Sequence, residues 1–183
     1  MHTLVLGGIR SGKSAYAERL VTGAEQVTYL ATAADRPQDP EWEARLAAHQ
    51  QRRPGGWRTR ECGERPELLP RLLREAGAAE TLLVDDLGGW LTAVHDHAGW
   101  ADGAADGPFA ELTSALADAV ATVVLVSPEV GLTIVPDNKV ARRFADLLGT
   151  LNQAVAARCD RVVLVVAGQP LWIKSGAPSN LTP

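Results

Sequence analysis

The stretch LVLGGIRSGKSAYAERL, residues 4–20, passes from an apolar run through three glycines and a lysine into an alternating apolar and charged pattern. The apolar run predicts a buried strand, and the later pattern predicts a helix. The glycines between them let successive backbone N–H groups point into an anion-sized cup, and the start of the helix adds the positive end of its dipole. This order therefore predicts a pocket for a polyphosphate.

Residues 7–14, GGIRSGKS, match the pattern G-x-x-x-x-G-K-[ST], with a predicted strand before it and a predicted helix after it. Lys13 would reach the outer phosphates, and the Ser14 hydroxyl would bind a Mg²⁺ ion that bridges two of them. We also assign Lys13 a catalytic role, because it would hold the reacting triphosphate. The alternative is a glycine-rich turn with a solvated lysine. The predicted nucleotide-binding residues of this loop are Gly7, Gly8, Ile9, Arg10, Ser11, Gly12, Lys13 and Ser14.

A second metal ligand is predicted at the end of a later strand. The run TLLVDDLGGWL contains two neighbouring carboxylates, and Asp85 directly follows the apolar residues. An acid at that position can hold Mg²⁺ directly or through water, so we assign Ser14 and Asp85 to the metal, with Asp86 as the second candidate. The alternative is that Asp85 caps whatever helix follows.

The composition is typical of a globular protein, with 46% hydrophobic and 22% charged residues among 183. No segment has the composition of a linker, so we expect a single domain over residues 1–174 and a flexible tail over 175–183. The net charge of −4 and the lack of a dense Lys/Arg block argue against nucleic-acid binding.

The sequence also bears on cellular location. No apolar run approaches the length of a membrane span, and the amino terminus lacks the features of a signal peptide. Cys62 and Cys159 lie far apart and without metal-binding spacing, which favours inert thiols in a reducing compartment. We therefore expect a cytoplasmic protein with no membrane span.

Short β-rich apolar runs alternate with helical patterns along the chain. This alternation predicts an α/β fold of the P-loop NTPase-like type, in which a mostly parallel β-sheet carries helices on both faces. Ligands of such sheets bind beyond the carboxyl ends of the strands. Strands are predicted at 2–6, 27–31, 81–85, 122–126, 161–166 and 171–174, helices at 13–22, 41–52, 66–77, 107–121 and 138–158, and loops at 32–40, 53–65 and 95–108.

Three segments together resemble one family, the bifunctional adenosylcobinamide kinase / adenosylcobinamide-phosphate guanylyltransferases of cobalamin biosynthesis. The segments are GGIRSGKSAYAE (7–18), RLAAHQQRRPGGWRTRE (45–61) and EVGLTIVPDNKVARRFADLLGTLNQAVAARCDRVVLVVAG (129–168). The resemblance covers most of residues 3–174 and is weakest between 87 and 121. A P-loop alone occurs in many unrelated NTPases, whereas the second and third segments are selective for this family.

The resemblance implies a reaction in two steps. ATP or GTP phosphorylates the aminopropanol hydroxyl of adenosylcobinamide, and GTP then transfers GMP to that phosphate with release of pyrophosphate. In the family GMP is first bonded to a histidine, and the matching motif places that role on His49. A neutral imidazole is a competent nucleophile, and a phosphoramidate divides one difficult transfer into two easier ones. Without the motif, His49 would be interpreted as an ordinary surface residue.

Further nucleotide-binding residues follow from the same resemblance. Arg52 and Arg53 carry guanidinium groups that suit phosphate oxygens, the alternative being a solvated positive patch. Glu61 matches the family's nucleotide-contacting acid and would accept from the N1–H and 2-amino groups of guanine, the alternative being a surface glutamate. The remaining candidates are Gln50 and Gln51 beside His49, and the turn Ala31, Thr32 and Ala33.

Three segments depart from the family pattern. Pro128 stands where the family commonly has Asn, and DDLGGWLTAV (85–94) carries glycines and alanine where the family usually shows D-C-L-T-x-W-[LV]-x-N. Residues 95–107 match no part of the pattern. We expect His95 and His97 in this segment to be solvated rather than metal ligands.

The partners implied by the resemblance are adenosylcobinamide, its phosphate, GTP and ATP, together with a homo-oligomeric state for which the family suggests a trimer. Two other functions stay open at this point. One is a different P-loop small-molecule kinase in which His49 has no role, and the other is a non-catalytic nucleotide-binding module.

Overall fold

A computed structural model of the protein describes residues 1–34, 55–100, 103–132 and 136–175. Its strands are β1 (His2–Gly7), β2 (Val27–Ala31), β3 (Arg58–Glu61), β4 (Thr81–Asp85), β5 (Thr122–Pro128), β6 (Arg161–Val166) and β7 (Gln169–Lys174). Its helices are α1 (Lys13–Val21), α2 (Leu68–Glu75), α3 (Leu87–Ala98), α4 (Asp106–Asp118) and α5 (Lys139–Arg158). None of these described helices has both the length and the apolar composition needed to cross a membrane. The helix predicted at 41–52 and the tail from residue 176 onward lie outside the described residues.

The described strands form a seven-stranded sheet in the order β3-β2-β4-β5-β1-β6-β7. Neighbouring strands are parallel except β6 and β7, which are antiparallel. The register aligns Gly7 with Pro128, and it aligns Ala31 with both Glu61 and Asp85. The carboxyl ends of five strands thus meet at one edge of the sheet, which is where ligands of parallel sheets bind.

Apolar side chains cover both faces of the sheet. On one face, Ala17 and Val21 of α1 pack against strand residues such as Val5 and Val124. On the other face, α2 to α5 pack against the alternate strand residues, such as Leu4. Strands that are buried on both faces need apolar side chains at successive positions, and therefore appear in the sequence as continuous apolar runs.

The α/β class and the mostly parallel sheet predicted from the sequence are confirmed. Two elements were not predicted. Strand β3 lies where a loop was expected, because its four residues, RTRE, are all exposed and give no apolar pattern. Helix α3 extends into the expected loop at residues 95–98. Two glycines in its first turn lower its helix propensity, whereas burial of one side stabilises it through Leu87, Trp90, Leu91 and Val94.

Both cysteines are buried free thiols. Burial raises the pKa of the Cys62 thiol to about 11 and that of the Cys159 thiol to about 12. The protonated thiol therefore dominates at neutral pH in both cases. Because the thiolate is the reactive form, neither cysteine is an activated nucleophile.

Candidate active site

The phosphate-binding loop runs from Gly7 at the end of β1 to Lys13 at the start of α1. Its backbone turns sharply, since the N–H of Ser11 donates to the carbonyl oxygen of Gly8 at 3.2 Å and Gly12 has a φ of +92°. A Cβ at Gly12 would be strained at this φ and would lie 3.2 Å from the Cα of Gly168. The N–H of Gly168 also donates to the Ser11 carbonyl oxygen at 2.8 Å. The turn between β6 and β7 therefore packs against the phosphate-binding loop and restrains its backbone.

Lys13 and Ser14 occupy the first two positions of α1. The Nζ of Lys13 donates to the carbonyl oxygen of Gly8 at 3.4 Å, so the side chain folds back over the loop. The Oγ of Ser14 donates to Oδ1 of Asp85 at 3.2 Å, although the two residues are 71 positions apart. The structure thus brings together the two groups assigned to Mg²⁺ from the sequence. Hydroxyl and carboxylate oxygens are ligands that Mg²⁺ prefers, so these side chains fit that ion.

Side-chain alternation along β4 decides which aspartate meets Ser14. Leu83 packs on the face of the sheet that α1 covers, and Asp85, two residues later, points to the same face. Asp86 follows the strand, and its Oδ1 accepts from the N–H of Gly89 at 2.8 Å, which caps α3. The capping role considered for Asp85 therefore belongs to Asp86.

Asp86 is half-buried beside a second carboxylate. Burial of its carboxyl group, followed by the negative charge of Asp85, raises the pKa of Asp86 to about 6. The group therefore takes up a proton at a pH well above that of an exposed aspartate. Two successive carboxylates make the end of β4 negative, which favours a bound cation at this position.

Tyr29 on β2 holds the second oxygen of Asp85. Its Oη donates to Oδ2 of Asp85 at 2.8 Å, and the residue is only 3% exposed. Both carboxylate oxygens therefore have a fixed partner, Ser14 on one side and Tyr29 on the other. Tyr29 was not predicted as a site residue from the sequence. Its place two residues before the end of β2 was visible in the sequence, but the pairing of β2 with the strand that ends in Asp85 was not.

The turn after β2 lies between Glu61 and the two aspartates. Thr32 is buried, and its Oγ1 donates to the carbonyl oxygen of Asp86 at 2.5 Å. Glu61 ends the exposed strand β3 and is paired with Ala31. Glu61, Ala31 and Asp85 thus lie side by side at the carboxyl ends of β3, β2 and β4. The remaining candidates lie outside the described residues: His49, Gln50, Gln51, Arg52 and Arg53.

His95 and His97 lie on α3 rather than in a solvated loop. His97 is exposed, as expected, but His95 is fully buried and its ring stacks on Trp100 with the centroids 4.4 Å apart. The expectation for His95 was wrong because the helix that carries it turns this residue toward the core. Within the described ranges, no three His, Cys, Asp or Glu side chains are grouped so that they could hold a metal ion.

Two departures from the family pattern meet in the structure. Gly88 stands where the pattern has Thr, and Pro128 stands where it commonly has Asn. A Cβ built on Gly88 would lie 3.0 Å from Cγ of Pro128, closer than ordinary van der Waals contact. The proline ring occupies space that a side chain at position 88 would need, so each departure accommodates the other.

The parallel sheet, the loop at the start of α1 and the carboxylate beside Ser14 define a nucleotide-binding protein of the P-loop class. A solved ATPase from the type III secretion system of pathogenic bacteria superposes on the chain with a TM-score of 0.57 at 13% identity, over 89% of this chain and 51% of that one. At this identity the likeness concerns the fold alone, and the chain spans about half of that ATPase.

Comparison with protein families is more specific. The model of the family described as cobinamide kinase / cobinamide phosphate guanyltransferase matches residues 3–173. The bifunctional adenosylcobalamin biosynthesis protein CobP of Pseudomonas aeruginosa is 43% identical over 178 residues, 95% of this chain and 98% of that protein. The bifunctional protein CobU of Salmonella typhimurium is 36% identical over 185 residues, 95% of this chain and 100% of that protein. The chain therefore belongs to the cobinamide kinase / cobinamide phosphate guanyltransferase family, which confirms the resemblance found in the sequence.

Replacing Tyr29 with Phe tests whether its hydroxyl positions Asp85. The variant keeps the ring and loses the hydrogen bond, so the carboxylate can rotate and its affinity for Mg²⁺ should fall. We expect the Mg²⁺ concentration for half-maximal GTP binding to rise about ten-fold, measured by calorimetric titration at several Mg²⁺ concentrations. Tyr16→Phe, which removes the other tyrosine hydroxyl of the chain, is the control. An equal rise in both variants would argue against a specific role for Tyr29.

A double-mutant cycle tests the contact between Gly88 and Pro128. Gly88→Thr alone should lower the free energy of unfolding by about 1–3 kcal/mol in a urea titration, because the new side chain presses on the proline ring. Combining Gly88→Thr with Pro128→Asn should recover most of that loss, since Asn has no ring. If the double variant instead lost the sum of the free energies lost by Gly88→Thr alone and by Pro128→Asn alone, the two positions would be independent.

Proposed function

We propose that this protein converts adenosylcobinamide to adenosylcobinamide-GDP in cobalamin biosynthesis, acting first as a kinase and then as a guanylyltransferase. The observation that carries the proposal is the family match over residues 3–173, which includes both the phosphate-binding loop and the segment that begins at Glu129. The contact between Ser14 and Asp85 gives further support, because a triphosphate and its metal need both groups at one place. A cytoplasmic setting, where nucleoside triphosphates are available, is part of the proposal.

In the first step, the aminopropanol hydroxyl of adenosylcobinamide attacks the γ-phosphorus of ATP or GTP. A new P–O bond forms, the bond to the β-phosphate oxygen breaks, and the nucleoside diphosphate leaves while the hydroxyl proton passes to solvent. Residues 7–14 would surround the phosphates, and Lys13 would offset the charge on the transferred group. Ser14 and Asp85 would hold Mg²⁺, which when bound neutralises charge on the outer phosphates.

In the second step, His49 acts as a nucleophile toward the α-phosphorus of GTP. An imidazole nitrogen forms a P–N bond and pyrophosphate leaves; the phosphate of adenosylcobinamide phosphate then takes the GMP and releases His49. Arg52 and Arg53 would stabilise the phosphate charge, with Gln50 and Gln51 as further nucleotide contacts. Glu61 would accept hydrogen bonds from guanine, and its exposed position at the end of the edge strand β3 supports this role.

We also propose that the protein assembles as a homo-oligomer, with a trimer as the state suggested by the family resemblance. The edge strand β7 carries Leu171, Trp172 and Ile173, which are 61%, 40% and 60% exposed. Neighbouring exposed apolar side chains on an edge strand are typical of a protein interface and support this assembly. Measuring the mass of the protein in solution by light scattering tests whether it is a trimer.

The Lys13→Ala variant tests whether the kinase step and the guanylyl transfer both require Lys13 to hold the triphosphate. We expect kinase turnover with adenosylcobinamide, and guanylyl transfer to adenosylcobinamide phosphate, each to fall about 100-fold or more, because the reacting phosphates lose a fixed counter-charge. Initial rates with labelled nucleotide measure both. Lys174→Ala is the control. Lys174 is paired with Val162 near the start of β6, at the end of the sheet opposite to the phosphate-binding loop, and it donates to backbone carbonyl oxygens. Wild-type turnover in Lys13→Ala would contradict the assignment.

GTP labelled at the α-phosphate tests the role of His49. We expect the wild-type protein to acquire an acid-labile, alkali-stable label, which is the signature of a phosphoramidate, and His49→Ala to acquire none while it keeps the kinase step. His97→Ala, which removes an exposed histidine, should label like the wild type. Phosphoryl transfer without any label in the wild type would instead indicate another small-molecule kinase, and nucleotide binding without turnover a non-catalytic module.

A further inference from the structure

A cavity of about 650 Å³ lies beside the phosphate-binding loop. Gly8 and Ile9 of the loop form one part of its wall, and the first half of α5 forms another through Val140, Ala141 and Phe144. Its described lining is mostly apolar, and its size is typical of small-molecule sites. Of the residues assigned above to nucleotide or metal, this lining includes Gly8 and Ile9 and no others.

The apolar wall of this cavity is open to a ligand and is already formed. Ile9 is 89% exposed and Val140 is 56% exposed, so both present apolar surface to whatever enters. Trp100 also lines the cavity, and its ring rests on the buried ring of His95. Because His95 is fixed in the core by α3, Trp100 is held as a rigid part of the wall.

We propose that this cavity binds the acceptor, taking one edge of the corrin macrocycle so that its aminopropanol arm reaches the phosphate held by the loop. The inference rests on the proposed function. The acceptor hydroxyl has to meet the outermost phosphate, and a ligand in this cavity contacts Gly8 and Ile9 of the same loop. A corrin is a large apolar macrocycle rimmed with carboxamides, which suits an apolar wall with a few polar groups.

Glu129 supplies a polar contact for the carboxamide rim. It lines the cavity at the end of β5, where its N–H donates to the carbonyl oxygen of Gly7 at 3.0 Å and its Oε1 accepts from the N–H of Gly131 at 2.7 Å. The backbone of Glu129 is thereby anchored to the loop, and its carboxylate, held by Gly131, keeps acceptor capacity for an amide N–H. Glu61, assigned to guanine, is separated from β5 by two strands, so the acceptor and guanine contacts do not compete for space.

Filling the cavity tests the proposal. Ala141 is exposed on α5, and Ala141→Trp would place a large side chain in the cavity. Ala157→Trp is the matched control, because Ala157 is also exposed on α5 but lies about 24 Å further along the helix. Once the wild type is shown to phosphorylate adenosylcobinamide, we expect Ala141→Trp to raise the KM for adenosylcobinamide about ten-fold or more and to leave the nucleotide Kd within about two-fold. The control should change neither value.

Glu129→Gln tests the same cavity without changing its shape, and we expect it to raise the KM for adenosylcobinamide about three-fold or more with the nucleotide Kd unchanged. An unchanged KM in either Ala141→Trp or Glu129→Gln overturns the proposal and leaves the proposed function intact. A change in oligomeric mass of Ala141→Trp, seen by light scattering, would assign the cavity to a contact between copies of the chain and also overturn it. A wild type without adenosylcobinamide turnover would refute the proposed function itself, and this inference with it.

Discussion

The parallel register of β2, β4, β5 and β1 is the constraint on which the site depends. The strands are apolar on both faces, so a slip of one residue would exchange two apolar faces at little hydrophobic cost. Such a slip in β4 would nevertheless turn Asp85 away from Ser14 and Tyr29, and would separate Asp86 from Thr32. The polar contacts at the carboxyl ends therefore do two things, because they shape the site and also specify the register of the sheet that carries it.

The phosphate-binding loop is held by contacts with two other parts of the fold. In the turn between β6 and β7, the N–H of Gly168 donates a hydrogen bond to the carbonyl oxygen of Ser11. At the start of α1, the Ser14 hydroxyl donates a hydrogen bond to Asp85 at the end of β4. Arg10 in the loop and Ala167 in the turn both have positive φ, which non-glycine residues rarely adopt. Local strain is thus concentrated where two turns press on each other, and it is tolerated because the surrounding sheet fixes both of them.

The sequence predicts those parts of the fold in which burial requires a pattern of apolar residues. The central strands are continuous apolar runs, whereas β3 has no apolar pattern because it is an exposed edge strand held by pairing with β2. In the site, motif and strand position were enough to indicate Asp85. Tyr29 could not be found in this way, since its role depends on the register between β2 and β4 rather than on its own neighbours. His95 was misread because Asp and Gly surround it in the sequence, while its burial follows from the packing of α3.

Pro128 shows how a departure from the family pattern can leave this geometry in place. Proline in a central strand normally removes a hydrogen bond of the sheet. Pairing between β5 and β4 ends three residues before Pro128, however, and the N–H that reaches back to Gly7 belongs to Glu129. Successive N–H groups of a strand point to opposite neighbours, so the N–H that proline lacks would face the side where pairing with β4 has ended. Gly88 leaves room for the ring, and Nδ2 of Asn152 donates to the Pro128 carbonyl oxygen at 3.1 Å. The backbone therefore continues into Glu129 in the same position, and the wall between the loop and the neighbouring cavity is kept.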